Sequence, residues 1–365
     1  MKFLVLILAA LGDTLFTTPA IKALRNSYPE AEIDVIAWED NKEILAGNDN
    51  IDRLIVCKGK GQLITELQNL RETVYDLAIG LSTVGSYISY LVNARKKLGF
   101  KGEELGWIYD FNVPDNRRIH AVDYCLEIVK LVGARPDNNP KLEIVTTTED
   151  YRLLQDKLRL AGVSPGLPLV AIHPGGKYFS FKRWPAERFK ELIKALDNTY
   201  NLEIVIIGGS DDQKLAQEII DPFYNYNHRP KILAGKLKIK ETVALLKNAA
   251  LFIGNDSAPM HFAAAAGTSV IALIGPTNPA NFHPYGTDYK LVSAGLACSP
   301  CFSWLGELKQ YLPEYLPEWA TRCKARCMRE IQVVDVLQGV ETLIKEGKIY
   351  LSRYKQKYLR EVSLT

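Results

Sequence analysis

The sequence predicts an α/β protein made of two doubly wound parallel sheets, and three observations carry that reading. Short apolar runs alternate with helical periodicity along the whole chain, as strands joined by helical crossovers do. At 365 residues the chain is longer than one hydrophobic core usually fills. Hydrophobic residues make up 47% and charged residues 24%, a globular composition that excludes disordered and fibrous classes. The net charge of +3 argues against wholesale nucleic-acid binding and leaves local basic patches as the sites for anions.

Strands are predicted at 2–8, 32–37, 53–57 and 76–81 in the first half, and at 169–173, 203–207, 251–253 and 269–274 in the second. The first run follows Met1-Lys2 and has the outline of a short signal peptide. It ends at Gly12-Asp13 without a small-residue cleavage site, so it reads as a buried first strand. No stretch reaches the roughly 18 apolar residues that span a bilayer, and the expected location is cytoplasmic. Two breakers, PDNNP at 136–140 and GVSPGLP at 162–168, mark candidate boundaries. The second is preferred, giving domains at 1–165 and 166–345 and a basic tail at 346–365.

Ligands of such folds collect at the carboxyl ends of the strands, which directs attention to three loops. The first, AALGD at 9–13, puts Gly12 at a tight turn and Asp13 at a helix start, with apolar Phe16, Ala20 and Leu24 following. On spacing alone Asp13 reads first as a helix cap. The loop lacks GxGxxG, which argues against a nicotinamide or flavin dinucleotide. The second loop, HPGGKYFSFKRWP at 173–185, offers Gly175 and Gly176 as room for a ligand and Lys177, Lys182 and Arg183 as positive charge before a helix. A flexible loop with solvated lysines would look the same. The third, GNDSAPMH at 254–261, places Ser257 as an N-cap, Pro259 in the first helical turn and Gly267 at the helix end. Amides at Ser257 and Ala258 then form a diphosphate site. His261, one turn in, either faces that ligand or packs inside.

Together the segments LGDTLFTTPAIKALR (11–25), HPGGKYFSFKRWP (173–185), GNDSAPMHFAAAAGT (254–268) and IGPTNP (274–279) resemble glycosyltransferase family 9, the heptosyltransferase-like enzymes of lipopolysaccharide synthesis. YDLAIGLS at 75–82 and HAVDYCLEIVKLVG at 120–133 look similar to the family as well. The resemblance implies the GT-B architecture: two Rossmann-like domains facing a central cleft, acceptor on the first and sugar nucleotide on the second. It implies an inverting transferase that moves a sugar, heptose from ADP-heptose being the leading choice, to a lipopolysaccharide core or related glycan. Asp13 falls on the family's base and Lys182 on the lysine that meets donor phosphates. Asp256, Ser257 and Ala258 fall on the donor side, with His261 nearby. Read from their own loops, Gly175 and Gly176 join that side, and Asp212, or Asp211 beside it, either holds ribose hydroxyls or merely caps a helix. Gly12, Thr14 and Ser82 fall on the acceptor side. This chain departs from the family at Ile7 and Ala9, where Arg and Ser are common, and at Ala258, where Gly is usual.

The residue types suit the chemistry. A carboxylate removes the acceptor proton while the anomeric carbon passes through an oxocarbenium-like state. Lysine and helix amides stabilise the departing diphosphate, the task a divalent metal performs elsewhere; no DxD motif occurs in these loops, so neither cofactor nor catalytic metal is expected. Two alternatives remain open: an epimerase or hydrolase acting on a nucleotide sugar, and a non-catalytic nucleotide-sugar-binding protein.

Cys298, Cys301, Cys323 and Cys327 form CxxC and CxxxC pairs, a spacing that suits a structural metal cluster, local disulfides or reduced thiols equally. Cys57 and Cys125 read as core cysteines. Between the pairs, Trp304, Tyr311, Tyr315 and Trp319 read as a packed hairpin rather than a sugar or interface platform. Six basic residues against Glu346 over 345–360 leave open a return to the first domain or a peripheral contact with anionic lipid at the inner face of the inner membrane.

Overall fold

The structure, a computed structural model, describes residues 1–100, 110–113, 119–176, 180–223, 229–301 and 323–352. These form two compact units, one comprising Met1–Val145 with Ala280–Gly286, the other beginning at Thr146.

The first unit contains β1 (Lys2–Ile7), α1 (Leu11–Phe16), α2 (Thr18–Ser27), β2 (Glu32–Trp38), α3 (Lys42–Leu45), β3 (Arg53–Cys57), α4 (Lys60–Asn69), β4 (Tyr75–Gly80), α5 (Thr83–Ser89), β5 (Ala94–Phe100), β6 (Phe111–Val113) and α6 (Ala121–Lys130). Its strands run parallel in the order β3-β2-β1-β4-β5-β6. β1 is central, and Phe3 to Ile7 are wholly buried. That explains an unbroken apolar run: a strand covered on both faces has no polar side to show.

The second unit contains α7 (Thr148–Ala161), β7 (Leu169–His173), α8 (Ala186–Thr199), β8 (Glu203–Ile206), α9 (Gln213–Ile220), β9 (Lys231–Ile232), α10 (Ile239–Lys247), β10 (Leu251–Asn255), α11 (Ala258–Ala266), β11 (Val270–Leu273) and β12 (Tyr289–Val292), with a later helix at Val333–Lys345. Its order, β12-β11-β10-β7-β8-β9, repeats that of the first unit when the strands are renumbered from β7. α8 buries Phe189, Leu192, Ile193 and Leu196 completely, the i, i+3, i+4, i+7 stripe of an amphipathic helix. Each such side chain contributes about 1.5–3 kcal/mol by leaving water.

All eight predicted strands are present within two residues of their expected ends. β5, β6, β9 and β12 were not predicted. Only the last three residues of β5 are buried while Arg95 and Lys96 are exposed, so it lacks an apolar run. β6 and β9 span three and two residues, too short for any periodicity to register.

The domain boundary is corrected from 165 to Val145, near the first breaker rather than the second. α7 belongs with the second unit because Lys157 Nζ on it lies 2.5 Å from the buried carboxylate of Glu241 on α10. A capping box between Thr147 and Asp150 starts α7 there. The segment Ala280–Gly286, although inside the second half of the sequence, packs in the first unit. Asn281 Nδ2 donates to the Ile119 carbonyl at 2.7 Å, Tyr285 OH to Asp123 at 2.7 Å, and the Phe282 and Phe16 rings lie 6.2 Å apart. The described start of the tail stays in the second unit, where Leu351 is buried and Asn201 N–H donates to the Ser352 carbonyl. The remaining tail and the aromatic stretch holding Trp304, Tyr311, Tyr315 and Trp319 lie outside the described residues. Among the described residues no helix is long and apolar enough to cross a membrane.

Candidate active site

In a sheet of this order the crevice opens where the strand order reverses, between the first and fourth strands. In the first unit those are β1 and β4, and a serine fastens their ends together. Ser82 Oγ accepts from Leu8 N–H at 3.1 Å and from Gly85 N–H at 3.0 Å, so it both ties the strand ends and caps α5. Ser82 is 4% exposed, which corrects its place from acceptor contact to scaffold.

Asp13 lies in the first turn of α1 and is half-buried. The N-cap of that helix is Ala10, with no side-chain capping bond, so the capping reading of Asp13 is corrected. Gly12 is helical and is not among the residues with positive φ; the tight turn expected of it does not occur. Thr14 is wholly buried, and its hydroxyl accepts from Asn41 Nδ2 at 2.7 Å. Asn41 also donates to the Ala9 carbonyl at 2.8 Å. Thr14 therefore braces the loop that carries Asp13 rather than reaching outward, with Asn41, a residue no motif singles out, as its partner in the brace. Burial pushes the Cys125 thiol up, and the nearby charges of Asp13 and Asp123 push it the same way, which places Asp13 beside α6.

In the second unit the equivalent strands are β7 and β10, and again a serine joins them. Ser257 Oγ lies 3.0 Å from His173 Nδ1. Asn255, at the end of β10, donates to the carbonyls of Pro174 at 2.8 Å and Gly175 at 3.1 Å and accepts from Trp184 N–H at 3.0 Å. One buried amide thus fixes both the Pro174–Gly176 turn and the start of α8. Arg183 clamps the same turn by donating to the Gly176 carbonyl at 2.6 and 3.0 Å. Lys177 lies outside the described residues.

Lys182 Nζ lies 2.8 Å from Asp256 Oδ2, with side chains 15% and 7% exposed. Burial raises the Asp256 carboxyl, but the charges of Lys182 and His261 more than offset this and hold it below the usual carboxylate range. His261 is buried, its Nε2 3.9 Å from Asp256 Oδ1; of its two readings, packing inside is the observed one. Ser257 and Ala258 stand half-exposed at the start of α11, with Pro259 in its first turn and Gly267 in the left-handed conformation at its end.

Two donor-side expectations are corrected. The space at Gly175 is filled from beneath: a Cβ there would stand 2.0 Å from Asp212 Oδ1, so the glycine admits Asp212 rather than a ligand. Asp212 itself is buried, accepts from Gly209 N–H at 2.9 Å and lies 3.4 Å from His173 Nε2. Burial raises its carboxyl, but His173, the Gly209 amide and Arg183 together bring it below the usual value. It supports His173 rather than presenting oxygens to a ribose. Exposed Asp211 shares its short turn.

The four clustered cysteines are free thiols, Cys327 buried and the others exposed. Among the described residues no three of His, Cys, Asp or Glu come together as metal ligands. Cys57 and Cys125 are buried, as expected.

The sequence model of glycosyltransferase family 9 (heptosyltransferase) matches residues 65–312. Lipopolysaccharide heptosyltransferase 3 of Escherichia coli is 30% identical over 294 residues, covering 76% of this chain and 84% of the relative. The structure of a family 9 glycosyl transferase from Veillonella parvula superposes with a TM-score of 0.78 at 24% identity, covering 94% of this chain and 97% of the other. That of E. coli ADP-heptose lps heptosyltransferase II gives 0.73 at 21%, covering 95% and 100%. A more distant fold neighbour, the iron-containing dodecameric glycosyltransferase TibC of enterotoxigenic E. coli, gives 0.57 at 17%, covering 94% and 76%. Sequence and fold agree that this chain, a glycosyltransferase with two Rossmann-like units of the GT-B class, belongs to glycosyltransferase family 9.

Proposed function

We propose that the protein is an inverting, metal-independent heptosyltransferase that takes heptose from ADP-heptose and adds it to a lipopolysaccharide core or related glycan. The observation that carries this reading is the Lys182–Asp256 pair at the N-terminus of α11. An ammonium has three N–H donors, enough to hold Asp256 and meet a phosphate oxygen. A helix N-terminus adds amides and a positive dipole end for the same anion. The choice of donor base and sugar is supported by relatives and neighbours whose names specify heptose and, in several structures, ADP-linked heptose.

In the reaction Asp13 takes the proton from the acceptor hydroxyl as that oxygen bonds to the anomeric carbon and the bond to the diphosphate oxygen breaks. Both bonding electrons leave with ADP. Lys182 and the α11 amides meet the charge that develops there, which is electrostatic stabilisation of a leaving group in a prearranged site. Acceptor binding on the first unit would place the reaction at the cytoplasmic face of the membrane that carries the glycolipid.

The test is mass spectrometry of products from ADP-, UDP- and GDP-sugars, with and without a heptose-bearing core acceptor. ADP release coupled to acceptor mass gain is the expected result. Donor consumption at a rate the acceptor does not change would replace this reading with hydrolysis or epimerisation.

A further inference from the structure

Ser257 stands at the N-cap of α11, where a serine hydroxyl ordinarily accepts from a first-turn amide. Here it makes no capping bond. Its Oγ is turned instead to His173 Nδ1 at 3.0 Å and to the Asn255 carbonyl at 3.1 Å. Pro259 brings no N–H to the first turn, and Met260 N–H is bonded to the Ser257 carbonyl at 3.0 Å. A hydroxyl swung into the capping position would compete for Met260 N–H and set its lone pairs at the helix mouth, where an anion has to sit.

What keeps it out is a buried chain of contacts. His173 is 3% exposed, at the end of a strand that cannot shift without the sheet. Its Nε2 lies 3.4 Å from Asp212 Oδ2, and its Nδ1 is the nitrogen presented to Ser257. Asp212 is fixed in turn by Gly209 N–H and by the Gly175 backbone lying against it. Neither His173 nor Asp212 has been given a part in the reaction above.

We propose that His173 is a positioning residue for the donor site: braced by Asp212, it holds the Ser257 hydroxyl away from the α11 N-terminus and keeps that terminus open to the donor diphosphate. This rests on reading the terminus as the diphosphate site.

The test is a double-mutant cycle on the full chain, with ADP binding followed by calorimetry. His173→Leu frees the hydroxyl to cap the helix and should weaken ADP binding about tenfold, a change of about 1.4 kcal/mol that is within the range of a single cap. In a Ser257→Ala background, which has no hydroxyl to fall into place, the same substitution should cost less than about twofold. His173→Asn, whose amide reaches the Nδ1 position, should recover most of the affinity that His173→Leu loses. Equal losses in both backgrounds, or no recovery with asparagine, overturn the positioning role while leaving the donor site intact. If the wild-type chain binds neither ADP nor pyrophosphate, the donor site itself is wrong and the role of His173 goes with it. Should His173→Leu fail to fold, His173→Gln takes its place in the cycle with the same two outcomes.

Discussion

The Nζ of Lys182 lies 2.8 Å from Oδ2 of Asp256, joining the loop after β7 to the loop after β10. The pair orients a cation at the start of α11, so its loss is expected to damage chemistry and structure separately. Lys182→Ala should lower kcat by about 100- to 1000-fold, the usual effect of removing one preorganised charge-stabilising donor. Steady-state kinetics with saturating donor checks it; a loss confined to KM would mean that Lys182 binds substrate and transition state equally.

The same pair makes an acid-stability prediction. Asp256 is held below the usual carboxylate range by the charges of Lys182 and His261, so it contributes stability above its unfolded pKa and loses that contribution as the pH falls through its folded one. Lys182→Met removes the main compensating charge and leaves a buried carboxylate, costing about 3 kcal/mol, the low end for a broken buried pair. Its acid unfolding midpoint, followed by circular dichroism, should move to higher pH. Adding Asp256→Asn should abolish most of that movement.

Asp13 is half-buried in the first turn of α1 and is not its N-cap residue. Asp13→Asn should therefore cost no more than about 0.5 kcal/mol of stability, its share of the helix-dipole interaction, while kcat drops by about 100- to 10,000-fold. Melting curves and turnover measured on one preparation test both halves. Full turnover in the variant would remove Asp13 as the base.

Gly175→Ala puts a methyl 2.0 Å from the Asp212 carboxylate. Both are held by buried partners, so the substitution should destabilise the second unit by about 1–3 kcal/mol, as overpacking does. Denaturant unfolding measures this. A neutral result would show that Asp212 can retreat, and would weaken the picture of a fixed support behind His173.

With Lys182 and the α11 amides on the departing diphosphate, excess EDTA should leave the initial transfer rate unchanged. A rate that falls with chelation and returns with a divalent ion would overturn the metal-independent reading.

The fold was legible because the central strands are buried on both faces and written as continuous apolar runs. Edge strands β6 and β9 and the half-exposed β5 escaped because burial, not strand formation, produces that signal. The site was legible in part. Asp13, Lys182, Asp256 and Ser257 stand out as charged or polar residues at strand ends. Asn41, Asn255 and His173 are set by contacts between segments far apart in sequence, Asn255 with Trp184 and Ser257 with His173 among them, and no local spacing encodes those. Gly175 and Asp212 were misread for the same reason: a glycine made necessary by a carboxylate 37 positions later looks like room for a ligand.

The excursion of Ala280–Gly286 into the first unit also governs how this protein can be dissected. No single cut along the chain yields two intact halves. A fragment ending at Val145 lacks the partners of Phe16, Ile119 and Asp123, and a fragment starting at Thr146 carries a loop with nothing to dock on. Independent expression of either half calls for a graft of the missing heptapeptide or for a circular permutant.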